Sequence, residues 1–120
     1  MAKILLVEDN EMNRDMLSRR LLRRGHEVLT AENGAQALIA AEDQKFDLVL
    51  MDLRLPDISG WDVTRQLRSR SANANLKIIA LTAHAMEGDR QAAMDAGCDD
   101  YDTKPVDMGR LMDKIARLVG

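Results

Sequence analysis

The chain alternates two hydrophobic periods along its whole length. Ile4 to Val7 is a continuous apolar run of the kind that forms a buried strand. A helical pattern follows, with Met12, Met16, Leu17, Leu21 and Leu22 on one face and arginines on the other. Asn10 is placed to cap that helix and Gly25 to stop it. Val28 to Ala31 predicts a second strand, and Asn33 a cap for a helix built on Ala37, Leu38 and Ala41. Asp47 to Met51 predicts a third strand. Ser59, with Asp62 three residues on, resembles a capping box for a helix carrying Val63 and Leu67. Leu76 to Leu81 predicts a fourth strand, and Met86, Ala93 and Met94 a weaker helix that stops at Gly97. Cys98 to Thr103 predicts a fifth strand, the most polar and so a candidate edge. Asp107 then caps a last helix with Leu111, Met112, Ile115, Leu118 and Val119 at helical spacing.

Continuous apolar strands alternating with helices predict an α/β fold, a parallel sheet covered on both faces. Five such units with right-handed connections make a doubly wound open sheet, and an eight-stranded barrel would need more. The length of 120 residues suits one domain, expected over 1–120. Net charge is −3 with both signs mixed, and no basic face points to nucleic acid. The densest basic stretch, Arg19, Arg20, Arg23 and Arg24, falls on the first helix and suits a solvated face. A single cysteine, Cys98, excludes an internal disulfide and is expected as a small buried residue. The apolar run at the N-terminus is too short for a signal peptide, and no run approaches a membrane span. A cytoplasmic location is the expectation.

In such a sheet, ligands bind beyond the C-terminal ends of the strands. The first strand ends in Glu8 and Asp9, the third in Asp52, the fourth in Thr82, and the fifth at Thr103, Lys104 and Pro105. The second ends in Ala31 and Glu32, which carry no obvious chemistry. If the first and third strands are neighbours, their ends stand about 5 Å apart. Two carboxylates at that separation repel by roughly 3 kcal/mol, about two pKa units. A hard divalent cation relieves the repulsion, and an oxygen-only, partly open site suits Mg²⁺. With Lys104 as a point charge and Thr82 as a donor, these are parts for phosphoryl transfer. A carboxylate can be the nucleophile, giving an aspartyl-phosphate.

The stretches KILLVEDN, LVLMDLRLPDISGWD, IIALTAHA and YDTKP together resemble the receiver domain of two-component response regulators, over essentially the whole chain. The resemblance implies a flavodoxin-like (βα)5 fold with strand order 2-1-3-4-5. It implies that Asp52 is the phosphoacceptor, and that Glu8, Asp9, Asp52 and the backbone carbonyl of Arg54 hold Mg²⁺. Thr82 would be the switch hydroxyl, Lys104 the partner of the phosphoryl group, and Pro105 the residue after a cis peptide. Tyr101 matches the switch aromatic, and Pro56 and Gly60 match turn residues after the phosphorylated strand. Arg54 and His84 occupy positions that tune phosphoryl lifetime in this family. Asp102 departs from the family's usual apolar residue there and implies a more acidic surface on the fifth strand. Trp61 is expected to pack.

The implied function is a single-domain receiver that takes a phosphoryl group from a histidine kinase or histidine phosphotransfer protein. It would signal to a downstream protein through its fourth helix, fifth strand and fifth helix, as a monomer or weak dimer, without nucleic acid or membrane. It would be a phosphoacceptor rather than an enzyme. A receiver from a hybrid kinase fits the same motifs. An aspartyl-phosphate phosphatase would place its acids as Asp-x-Asp after one strand, and a flavin module would want a hydroxyl- and glycine-rich loop where EDNEMN stands.

Overall fold

The computed structural model describes residues 2–83 and 87–119. His84 and Met86 lie outside the described residues. The elements in order are β1 (Lys3–Val7), α1 (Glu11–Arg23), β2 (Glu27–Ala31), α2 (Gly34–Asp43), β3 (Leu48–Asp52) and α3 (Gly60–Arg68). A short 3-10 turn (Ser71–Asn73) precedes β4 (Lys77–Thr82), α4 (Glu87–Ala96), β5 (Asp100–Thr103) and α5 (Met108–Val119). All strand pairs are parallel, in the order β2-β1-β3-β4-β5. The predicted α/β architecture and strand order hold.

The apolar strands are buried on both sides because successive side chains enter different cores. Leu5, Val7, Val49, Met51, Ile78 and Ala80 join one core, with Ala37 of α2, Val63 and Leu67 of α3, and Ala93 of α4. Ile4, Leu6, Leu48, Leu50, Ile79 and Leu81 join the other, with Leu17 and Leu21 of α1 and Leu111, Met112 and Ile115 of α5. Full burial of each large aliphatic side chain contributes about 1.5–3 kcal/mol. The central strand β3 is buried at every position, Asp52 included.

The local signals set the helix starts. The side chains of Asn10, Asn33 and Ser59 accept from the backbone N–H groups of Asn13, Gln36 and Asp62, and Asp107 accepts from that of Arg110. Only half of the expected capping box is seen at Ser59, since the Asp62 carboxylate pairs with Arg65. Gly25 and Gly97 follow α1 and α4 with φ of 87° and 113°, a conformation that favours glycine.

Three expectations are corrected. On α1, only Leu17 and Leu21 are buried, while Met12, Met16 and Leu22 are 82%, 40% and 54% exposed. Leu17 and Leu21 reach the core shared with β1, β3, β4 and α5, and the flanks of the stripe face solvent. The second correction is Asp102. Its register opposite Leu81 turns it inward, beneath α5, where it is 3% exposed and Arg110 Nη2 lies 2.8 Å from Oδ1. It therefore adds no acidic surface. The fifth strand also starts later than predicted, because Cys98 and Asp99 belong to the preceding loop. Cys98 is buried as expected, and burial pushes its thiol up to about 11.

Candidate functional site

β1 and β3 run side by side, with Val7 opposite Met51. Their next residues, Glu8 and Asp52, therefore leave the sheet together, with Asp9 one step beyond. One carboxylate oxygen from each of Glu8, Asp9 and Asp52 lies within 4.8 Å of the others. Glu8 and Asp52 are buried and Asp9 is exposed, so the cluster opens to solvent on one side. Thr82, also buried, ends β4 one residue past Leu81, the register partner of Asp52. The backbone N–H of Lys104 donates to Thr82 O at 2.7 Å, which carries the chain of β5 past its last paired residue and onto the same rim. Tyr101 is half-buried on β5 against the core under α2, α3 and α4.

The Lys104 ammonium lies 2.5 Å from Glu8 Oε1 and 3.3 Å from Asp52 Oδ2. Burial alone would lower its pKa. The hydrogen bond to Glu8 and the charges of Asp52 and Glu8 outweigh that, and the ammonium is held protonated. The Asp52 carboxyl is raised as well, to about 7 from an ordinary 3.8, which here favours the neutral form. Burial is the first cause and the hydrogen bond shared with Glu8 the second, while the Arg54 N–H and Lys104 offset part of it. Desolvation, more than the like-charge repulsion expected at the strand ends, governs this carboxyl.

The donor set is oxygen-only, has more negative than positive charge, and includes one exposed carboxylate. These properties fit a hard divalent cation. Both Glu8 oxygens already have partners, Lys104 for one and the Asn10 N–H for the other. Asp52 is engaged as well, by the Arg54 N–H at Oδ1 and more loosely by Lys104 at Oδ2, so the exposed Asp9 is the most available ligand.

Around this centre, the backbone comes very close. A Cβ on Gly60 would stand 2.4 Å from Asp52 O and 2.7 Å from Leu53 Cα, so only glycine lets α3 begin against the exit of β3. Leu53 N–H donates to Leu81 O and Gly60 N–H to Leu53 O, closing the root of the loop that contains Arg54 and Pro56. The Lys104–Pro105 peptide is cis. Trp61 packs against the same core, and its buried indole N–H has no hydrogen-bond partner among the described residues.

Two residues near the site had no part in the strand-end argument. Arg14 reaches back from α1 and donates to Glu8 O and Asp9 O at 3.0 and 3.3 Å, while pairing with Glu32 at 3.2 Å. Its position one turn after the cap Asn10 is the signal that could have found it. Asp57 accepts from the N–H groups of Gly34 and Ala35, 23 and 22 residues upstream, and no local pattern announces that.

A doubly wound five-stranded sheet with an acidic cluster and a lysine on its C-terminal rim defines a class of phosphoryl-handling α/β proteins. The sequence narrows it further: the chain belongs to the response regulator receiver domain family, whose model matches residues 4–116. It is 35% identical over 117 residues to the polar-differentiation response regulator DivK of Brucella anthropi, covering 98% of this chain and 95% of that protein. It is similar to the receiver domain of the sensor histidine kinase PA1611 from Pseudomonas aeruginosa PAO1, solved with a magnesium ion in the active site cleft. That match has 39% identity and a TM-score of 0.92, and covers 99% and 98% of the two chains. A third similar chain is in the co-crystal structure of the Saccharomyces cerevisiae phosphotransfer protein Ypd1 and the receiver domain of its downstream regulator Ssk1. There the identity is 33% and the TM-score 0.89, with 98% and 88% covered. Among the described residues, no helix is long and apolar enough to cross a membrane.

Proposed function

We propose that this receiver domain accepts a phosphoryl group on Asp52 from the phosphohistidine of a kinase or phosphotransfer protein. The observation that carries the reading is the placement of Asp52: buried at the end of the central strand, yet within 4.8 Å of Glu8 and the exposed Asp9, and 3.3 Å from Lys104. A carboxylate oxygen of Asp52 attacks phosphorus as the P–N bond to the donor imidazole breaks, and the imidazole leaves with its electron pair and takes up a proton. The chain positions the nucleophile and neutralises charge, which is most of what phosphoryl transfer needs. Asp9, Asp52 and the Arg54 carbonyl would hold Mg²⁺, with Glu8 behind them. Held there, the cation would supply charge neutralisation for the transferred group.

Lys104, freed from Glu8 in part, pairs with the phosphoryl group, and Thr82 turns its hydroxyl toward it. Tyr101 follows, shifting a pre-existing equilibrium of the α4–β5–α5 face toward a form that binds a downstream protein. In this role the chain is a phosphoacceptor switch in the cytoplasm, with no turnover of a free substrate. Two similar proteins point to the two donor arrangements. The Ypd1–Ssk1 complex supports phosphotransfer from a separate histidine protein. The PA1611 receiver supports a second reading, in which the domain serves within a hybrid kinase.

The test is incubation with acetyl phosphate and Mg²⁺, followed by intact-mass analysis. One hydroxylamine-labile phosphoryl group is expected, and none on Asp52→Asn. Undiminished labelling of that variant sinks the assignment.

A further inference from the structure

The loop between β3 and α3 carries Arg54, and it is tied down at two places. Its root is closed by the Leu53, Arg54 and Gly60 N–H groups, which donate to Leu81 O, Asp52 Oδ1 and Leu53 O. Its tip is held by one side chain. Asp57 Oδ1 accepts from Gly34 N–H at 2.9 Å and Oδ2 from Ala35 N–H at 3.0 Å. Those donors are among the orphan N–H groups of the first turn of α2, so the bonds are charge-assisted and aligned with the helix dipole. The surroundings fit tightly. A Cβ on Gly34 would stand 2.8 Å from Val63 Cγ2 and 3.1 Å from Ile58 Cβ, so the start of α2 lies directly against the far end of the same loop.

We propose that Asp57 is a positioning residue for the cation site: by tying the loop tip to α2, it sets where the Arg54 carbonyl stands relative to Asp9 and Asp52. This rests on the reading that those groups hold Mg²⁺. It also gives β2 a role on the rim. The turn after β2 ends in no reactive group, yet it meets the Asp57 loop through Gly34 and Ala35 and the acidic loop through the Glu32–Arg14 pair. Both cation-bearing loops lean on it. Groups that orient metal ligands from behind typically change affinity 10–100-fold when removed.

The experiment compares Mg²⁺ binding by calorimetry with thermal unfolding in EDTA, on the full chain. Wild type is expected to bind, and Asp57→Ala to raise the dissociation constant about tenfold. Asp57→Asn, which keeps one acceptor, should fall between them, and it carries the comparison if the alanine variant does not fold. Asn33→Ala removes another cap from the same helix end, the bond to the Gln36 N–H, without touching the loop. It should lower the melting temperature and leave the dissociation constant unchanged. The proposal is overturned if Asp57→Ala and Asp57→Asn bind Mg²⁺ like wild type, or if Asn33→Ala weakens binding as much as they do. Failure of wild type to bind Mg²⁺ overturns the underlying reading of the site instead.

Discussion

The Lys104 ammonium stands nearer to Glu8, at 2.5 Å, than to Asp52, at 3.3 Å. The lysine thus sits closer to the more deeply buried carboxylate, Glu8, and farther from Asp52, the proposed nucleophile. Lys104→Ala should expose the cost. With the cation gone, Glu8 and Asp52 remain as adjacent buried acids, and the metal-free protein should lose about 1–3 kcal/mol in urea unfolding. Added Mg²⁺ should restore part of that, and phosphorylation by acetyl phosphate should slow by at least about tenfold. A variant with unchanged stability in EDTA and an unchanged rate would remove Lys104 from the site.

The pH dependence follows from Asp52. Its carboxyl is raised in the fold to about 7 from 3.8, by burial first and then by Glu8. The unfolded chain ionises at the lower value and the folded protein at the higher. Stability from this group is therefore complete below about 4 and is lost as pH rises toward 7. In EDTA, the urea midpoint should fall across that window, and Asp52→Asn should flatten the fall. Mg²⁺ should reverse it, since a bound cation favours the ionised form. A midpoint that rises from pH 4 to 7 in wild type, with no difference from Asp52→Asn, would contradict the burial of a strained carboxyl here.

Asp9 is the exposed member of the cluster. Asp9→Ala should leave stability in EDTA within about 0.5 kcal/mol of wild type, or raise it by relieving repulsion. Its dissociation constant for Mg²⁺ should rise at least tenfold. Trp61 adjoins Gly60, which packs on Asp52 O, so its fluorescence is the convenient readout. A metal-induced change that persists at the same concentrations in Asp9→Ala would remove this ligand.

Gly60→Ala tests the close approach at the exit of β3. The added methyl would meet Asp52 O at 2.4 Å, and backbone at that distance must move. Overpacking of this kind costs about 1–3 kcal/mol. The shift falls on Asp52, the proposed phosphoacceptor, so phosphorylation should slow as well. A stable variant that phosphorylates at the wild-type rate would show that α3 can recede without moving Asp52.

Much of this was legible along the chain because it depends on near neighbours. The apolar strands are continuous since parallel strands between two helical layers meet hydrophobic neighbours on both faces. The caps at Asn10, Asn33, Ser59 and Asp107 each reach only three residues ahead. The strand-end residues Glu8, Asp9, Asp52, Thr82 and Lys104 could be gathered on one rim because parallel strands all end on the same side.

Distant neighbours decided the rest. Periodicity marked the stripe on α1, but how much of it is covered depends on the elements packed against it, and Met12 and Leu22 stayed outside. An aspartate in an edge strand reads as surface until the register turns Asp102 inward and α5 brings Arg110 over it. Asp57 reads as a turn residue until folding sets it against the start of α2. By itself, then, the sequence determined the elements, their alternation and the reactive groups at their ends, because backbone propensity and burial period act over a few residues. The tertiary structure decided which carboxylate the lysine satisfies, how high the Asp52 carboxyl is pushed, and which side chains brace the loops, because these depend on distances between residues far apart in the chain.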